Sequence, residues 1–154
     1  MRLAEFSNFF YSKDASTPNQ CGAYIRLDKK LEMDFGDGGT GGSPAGITTR
    51  IRVTSTSTIN DSDWHHFAGT IEHGSPTTAK LYIDGVLDKT DTSKTQTGQP
   101  AISEMWIGDY HAAGTNEHNG PLACLRFYHN PLSENEIKQI YNSDLRLIKG
   151  LENE

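Results

Sequence analysis

At 154 residues the chain is long enough to bury about two thirds of the surface its unfolded form exposes, and a single domain over residues 1–154 is expected. Fourteen Lys and Arg against twenty Asp and Glu leave a formal net charge of -6, with no basic stripe to neutralise a row of phosphates, so nucleic acid is not an expected partner. No apolar run approaches the roughly 20 residues that cross a bilayer, and no membrane insertion is expected.

The chain opens with MRLAEFSNFFYSKD, which lacks the apolar core of a secretory signal. Cys21 and Cys124 are the only cysteines and stand in no metal-ligand spacing. A zinc site built on cysteine is set aside, while pairing between the two is left open because it depends on where the fold places their backbones. LEMDF, residues 31–35, alternates Leu31, Met33 and Phe35 with Glu32 and Asp34, the period of a half-buried strand. GDGGTGGSPAG then reads as a loop, and ITTRIRVTSTST, dense in Thr, Ile and Val, as another strand.

DSDWHHFAGTIE, residues 61–72, is the most conspicuous run. Read as a strand, it sends His65 and His66 to opposite faces, so the two imidazoles cannot ligate one metal, and Trp64 anchors the edge of the core. AKLYIDGVLDKT is a hairpin, because Asp84-Gly85 suits a type I′ turn in which both central residues need positive φ. SEMWIGDY and PLACLRFYH are two more strands. SENEIKQIYN is a helix, opened by a Ser133/Glu136 capping box and striped with Ile137, Ile140 and Tyr141. Many short strands and one late helix predict an all-β sandwich. Leu31, Met33, Phe35, Trp64, Phe67, Leu81, Ile83, Ile107, Leu125 and Phe127 are its expected core.

GDYHAAGTNEHNG, residues 108–120, gathers a carboxylate, amides and an aromatic ring into one turn. Such a mixture grips sugars, the ring stacking on C–H faces and the polar groups bonding hydroxyls. Asp109, Tyr110, His111, Asn116 and Asn119 are therefore the candidate ligand-binding residues, and Asp109 with Asn116 offers oxygen ligands to calcium, the one cofactor in view. Trp106 lies on the opposite face of its strand from Met105 and Ile107 and is the candidate stacking platform of the sheet.

WHHFAGTI, KLYIDGVL, MWIGDY and NGPLACLRFYHNPLSENEIKQIYN, in this order, resemble the laminin G-like, concanavalin A-like lectin/glucanase jelly-roll domains. The resemblance implies an antiparallel two-sheet jelly-roll sandwich with one short C-terminal helix. It also implies a non-catalytic module, secreted or at the cell surface, that engages carbohydrate or an extracellular partner through rim loops or the concave sheet, sometimes around calcium. The sequence departs from the family pattern where Ala123 and Cys124 replace an acidic pair.

An enzyme reading rests on EMDFGD, residues 32–37, which resembles the E-x-D-x-x-E strand of concanavalin A-like glycoside hydrolases. The third carboxylate is Asp37, shorter than Glu and placed after Gly36. No catalytic residue is expected, and Glu32→Gln is expected to leave glycan affinity unchanged. A third class is a protein-binding or self-assembling domain. Fewer residues precede the first recognisable segment than in the family, and an uncovered sheet edge invites a homodimer. The tail DLRLIKGLENE, with Leu145, Leu147 and Leu151 in a partial period of two, is the alternative cover for that edge, as a docked strand.

Overall fold

The computed structural model describes residues 6–13, 21–36, 50–61, 63–96, 104–108, 118 and 120–151. Eight strands are followed by one helix: β1 (Phe6–Lys13), β2 (Cys21–Arg26), β3 (Lys30–Phe35), β4 (Ile51–Thr58), β5 (Phe67–Glu72), β6 (Thr78–Ile83), β7 (Val86–Asp91), β8 (Glu104–Ile107) and α1 (Glu134–Leu151). They form two antiparallel sheets, a five-stranded one in the order β4-β3-β2-β1-β8 and a three-stranded one in the order β5-β6-β7. This is the expected antiparallel two-sheet jelly-roll sandwich with a C-terminal helix.

Alternation decides which face of each strand is core. Ala23, Leu31, Met33, Ile51 and Val53 project from the large sheet and meet Ala79 and Leu81 of the small one, with Phe9 of β1 buried among them. Phe35, Phe67 and Ile83 pack on this cluster from its margin. The sheets close up where a side chain is missing: a Cβ on Gly69 would stand 2.4 Å from the Met33 sulfur and 3.2 Å from the Phe35 ring. At the other side of the sandwich Asp88 of β7 accepts hydrogen bonds from the backbone N–H groups of Thr56 and Ser57, joining β7 to β4.

The β6–β7 hairpin turns as expected, with Asp84 at φ 52° and Gly85 at φ 73°. The capping box also forms: the Glu136 carboxylate accepts from Ser133 N–H at 2.7 Å, and Glu136 N–H donates to Ser133 Oγ at 3.3 Å. The acceptor role holds Glu136 below the usual carboxylate range.

Several expectations are corrected. The tail is not a strand, because α1 runs on to Leu151. Residues 137, 140, 141, 144, 145 and 148 are buried or half-buried, which is the 3.6-residue period, whereas Leu147 is exposed. PLACLRFYH is not a strand either. Residues 121–128 run without regular structure, leaving Leu125 43% and Phe127 55% exposed in place of buried. Arg126 ties this segment down instead, donating to Asp144 of α1 at 2.5 and 2.9 Å. Ile107 is 59% exposed, because its strand lies at the edge of the sheet. Trp64 is 36% exposed, because β5 starts only at Phe67. Cys21 and Cys124 are not joined by a disulfide. No helix among the described residues is long and apolar enough to cross a membrane.

Candidate functional site

The histidine pair and the hairpin turn prove to be one clasp. His65 lies between Asp84, 2.9 Å from Nδ1, and Asp61, 2.8 Å from Nε2. Asp84 also accepts from His66 N–H at 3.0 Å and donates its own N–H to the His66 carbonyl at 2.8 Å. Burial works against the His65 cation, but the two carboxylates more than offset it and raise the imidazole above its ordinary value. His66 turns elsewhere, its ring 5.8 Å from Tyr141 of α1, and burial holds it below the ordinary value. The expected separation of the two imidazoles is real, although both precede the strand. Both serve the fold, joining the approach to β5 with the β6–β7 turn and the helix.

A second set of polar groups lies on the outer face of the large sheet, opposite the core. Residues that alternate with the core positions project there: Tyr24 and Arg26 from β2, Glu32 and Asp34 from β3, and Arg52 and Thr54 from β4, with Arg50 just before it. Cross-strand register brings them together, Tyr24 opposite Glu32, Glu32 opposite Thr54 and Asp34 opposite Arg52.

Glu32 and Asp34 are only 1% and 3% exposed. Burying two carboxylates is costly unless their lone pairs are filled, and here they are. Glu32 Oε2 accepts from Arg26 Nη1 at 2.8 Å and Thr54 Oγ1 at 2.7 Å. Its Oε1 accepts from the Tyr24 hydroxyl and lies 2.9 Å from Arg52 Nε. Asp34 accepts from Arg52 Nε at 3.0 Å and from Arg50 Nη2, with the Tyr24 hydroxyl 3.3 Å away. Burial alone would raise the Glu32 carboxyl; the bonds from Tyr24, Thr54 and Arg26 outweigh it and leave Glu32 below the usual range. Burial and the bond to Glu32 push the Tyr24 phenol up, so it stays a donor.

The product of this network is a guanidinium of fixed orientation. Arg52 spends its Nε on both carboxylates, and its side chain is still 46% exposed. Its two terminal nitrogens donate no hydrogen bond to a described residue, and a guanidinium's terminal fork is the geometry that matches a carboxylate two bonds at a time. A salt-bridge network of this kind is a weak source of stability, so orientation is the property it supplies.

The family model described as the concanavalin A-like lectin/glucanases superfamily matches residues 3–138. The chain belongs to that superfamily. The sandwich is similar to the CBM40 carbohydrate-binding module of the Ruminococcus gnavus IT-sialidase, with a TM-score of 0.69 and 13% identity over 92% of this chain and 77% of that one. An S-layer domain-containing protein of Clostridium thermocellum is similar at a TM-score of 0.44 and 21% identity, over 91% of this chain and 64% of that one. No curated protein matches the chain.

Of the ligand-binding residues read from the sequence of this concanavalin A-like domain, Trp106 is half-buried on β8. Asp109, Tyr110, His111, Asn116 and Asn119 lie outside the described residues, and with them the calcium pair Asp109 and Asn116 and the third carboxylate, Asp37. The stem of their loop is described: Gly108 N–H donates to the Phe9 carbonyl at 3.0 Å, and His118 N–H donates to the Gly108 carbonyl at 2.8 Å. His118 packs edge-on against Phe9, ring centroids 4.9 Å apart, and so belongs to the stem. Among the described residues no group of three or more His, Cys, Asp or Glu side chains could hold a metal ion.

Glu32, whose replacement by Gln was expected to leave glycan affinity unchanged, supports Arg52 and has four partners. Sequence reading missed the arginines. Their signal was the alternation itself: Arg52 and Thr54 between Ile51, Val53 and Ser55, in phase with Glu32 and Asp34 across the sheet.

Proposed function

We propose that this domain is a non-catalytic carbohydrate-binding module that takes a sugar bearing a carboxylate on the outer face of the five-stranded sheet. The observation that carries the reading is Arg52, held through Nε by two buried carboxylates while its side chain stays 46% exposed. A planar, always-charged donor whose orientation is set before binding loses little freedom when it closes on an anion. The likeness to a carbohydrate-binding module supports the class of ligand. The 108–120 loop leaves the sheet two residues after Trp106, at the edge opposite Arg52, and Asp109, Tyr110, His111, Asn116 and Asn119 are proposed to bond hydroxyls of the glycan that carries this sugar, from that rim.

The same geometry argues against hydrolysis. A retaining glycosidase needs one carboxyl as nucleophile and one able to carry a proton. Glu32 is held ionised by its donors, Asp34 is bound by two arginines, and both are buried beneath them.

Titration calorimetry against glucuronic acid, N-acetylneuraminic acid and their neutral counterparts tests the reading. Arg52→Ala is expected to weaken binding of the acids by about ten- to a hundredfold, the value of hydrogen bonds to a charged group, and Arg52→Lys to recover only part. Glu32→Gln loosens Arg52 and is expected to cost several-fold, which reverses the expectation drawn from sequence. Equal affinity for acid and neutral sugars, or glycan turnover that vanishes with Glu32→Gln, overturns it.

One observation favours a second reading, self-association. Leu122, Leu125, Phe127 and Tyr128 are all exposed along residues 121–128, Phe127 packs edge-on against Phe10, whose cross-strand partner is the exposed Ile107, and an exposed apolar face of this kind pairs with a copy of itself. Sedimentation at micromolar concentration as a 17.0 kDa monomer would remove that reading.

A further inference from the structure

The backbone register carries the outer face well beyond the arginines. Arg52 is paired with Asp34, Asp34 with Gly22, Gly22 with Tyr11, and Tyr11 with Trp106. Directly paired residues of neighbouring antiparallel strands project from the same face. Arg52 and Trp106 therefore stand in one row of one face, at the two edge strands of the sheet. The next row along places Thr54, Glu32 and Tyr24 beside it on the same side.

The two edge positions offer complementary chemistry. At β4 is an oriented charged fork; at β8 is the indole of Trp106, half-buried where its neighbours Met105 and Ile107, on the other face, are exposed. An indole offers a flat π surface on which the C–H face of a pyranose can stack. Midway along the row Gly22 adds no side chain, and a glycine inside a strand marks a place where another chain of atoms can come close to the backbone. Four strand spacings separate β4 from β8, about 19 Å of backbone. One sugar ring cannot touch both ends.

We propose that the ligand is an oligosaccharide that lies across the strands, with an acidic sugar on Arg52 and a neutral pyranose further along stacked on Trp106. The inference rests on the reading of Arg52 as the anion site and adds the length of the ligand and the direction in which it runs. The Arg52 end selects for charge. The Trp106 end selects for chain length, because stacking is tolerant of which ring is stacked but demands that one be there.

The test compares short and long forms of one acid. The 154-residue chain is titrated with N-acetylneuraminic acid and sialyllacto-N-tetraose, and with glucuronic acid and a heparosan tetrasaccharide. In at least one pair the long form is expected to bind about two- to tenfold more tightly than the monosaccharide, the range that one stacked ring supplies. Trp106→Ala is expected to erase that difference by weakening the long form, and Trp106→Phe, which keeps a ring and guards against misfolding, to retain part of it. Arg52→Ala is expected to weaken both forms together. With Trp64 replaced by Phe, the remaining indole fluorescence should shift on adding the long form and not the monosaccharide. Equal affinities for short and long forms, or a length advantage untouched by Trp106→Ala, overturn the extended ligand and leave the Arg52 reading standing. Absence of binding to every acid overturns both.

Discussion

His65 shows how much of a domain's pH response one side chain can hold. Both ring nitrogens face carboxylates, and its folded-state value is raised above the ordinary imidazole value of 6.5. A raised value means the folded state binds the proton more tightly than the unfolded state. The stabilisation is therefore fully present below about pH 6.5 and lost as pH rises through the raised folded value. His66 works the other way, since its lowered value costs stability as pH falls. The measurement that isolates the clasp is therefore a difference: melting temperatures of the native chain and of His65→Gln between pH 5.5 and 8.5. The gap between them should be widest at the acid end and narrow toward pH 8.5. A gap that stays constant across this range would mean that the clasp holds through its geometry and not its charge.

At the scale of elements, α1 is the piece whose anchoring is most concentrated. One face of the helix is polar and exposed, so little beyond the capping box and the stripe from Ile137 to Ile148 holds it. Asp144 lies within that stripe, 5% exposed, and takes both terminal nitrogens of Arg126, fastening the irregular 121–128 segment to the helix. Asp144→Ala should cost about 1.5–3 kcal/mol in denaturant unfolding, the value of hydrogen bonds to a charged group. Limited proteolysis of the variant should then cut first within residues 121–128. Retention of full stability would show that segment to be held by the Phe10–Phe127 edge contact, centroids 5.3 Å apart, rather than by the ion pair.

For the molecule as a whole, the distance between the sheets is set by Gly69. Its missing side chain is filled by the tip of Met33 and the ring of Phe35 from the facing sheet. Gly69→Val would drive two methyl groups into space already occupied, and overpacking of a core costs about 1–3 kcal/mol. Met33 is the flexible member of the contact, so the double variant Gly69→Val with Met33→Ala should recover part of the loss, read as a rise in unfolding midpoint. An added loss in the double variant would mean that Phe35 or the backbone, and not Met33, sets the spacing.

Local chemistry determined much of this protein from sequence alone. Period-two alternation marked β3, the density of Thr, Ile and Val marked β4, Asp84-Gly85 specified the β6–β7 hairpin, and Ser133 with Glu136 started the helix, because each signal involves residues a few positions apart. The same signals were read wrongly where a distant partner decided the outcome. Residues 121–128 alternate like a strand but pair with none, and the leucines of the tail follow the helical period once Ile137 and Asp144 are buried. The candidate site belongs to the second kind. Glu32 and Asp34 were visible as carboxylates on one face of a strand, yet whether they are free acids or supports for an arginine depended on Arg26, Arg50 and Arg52, up to 20 residues away and brought alongside only by strand pairing. Charge character at a buried position is a property of neighbours across the sheet, and only the tertiary structure names them.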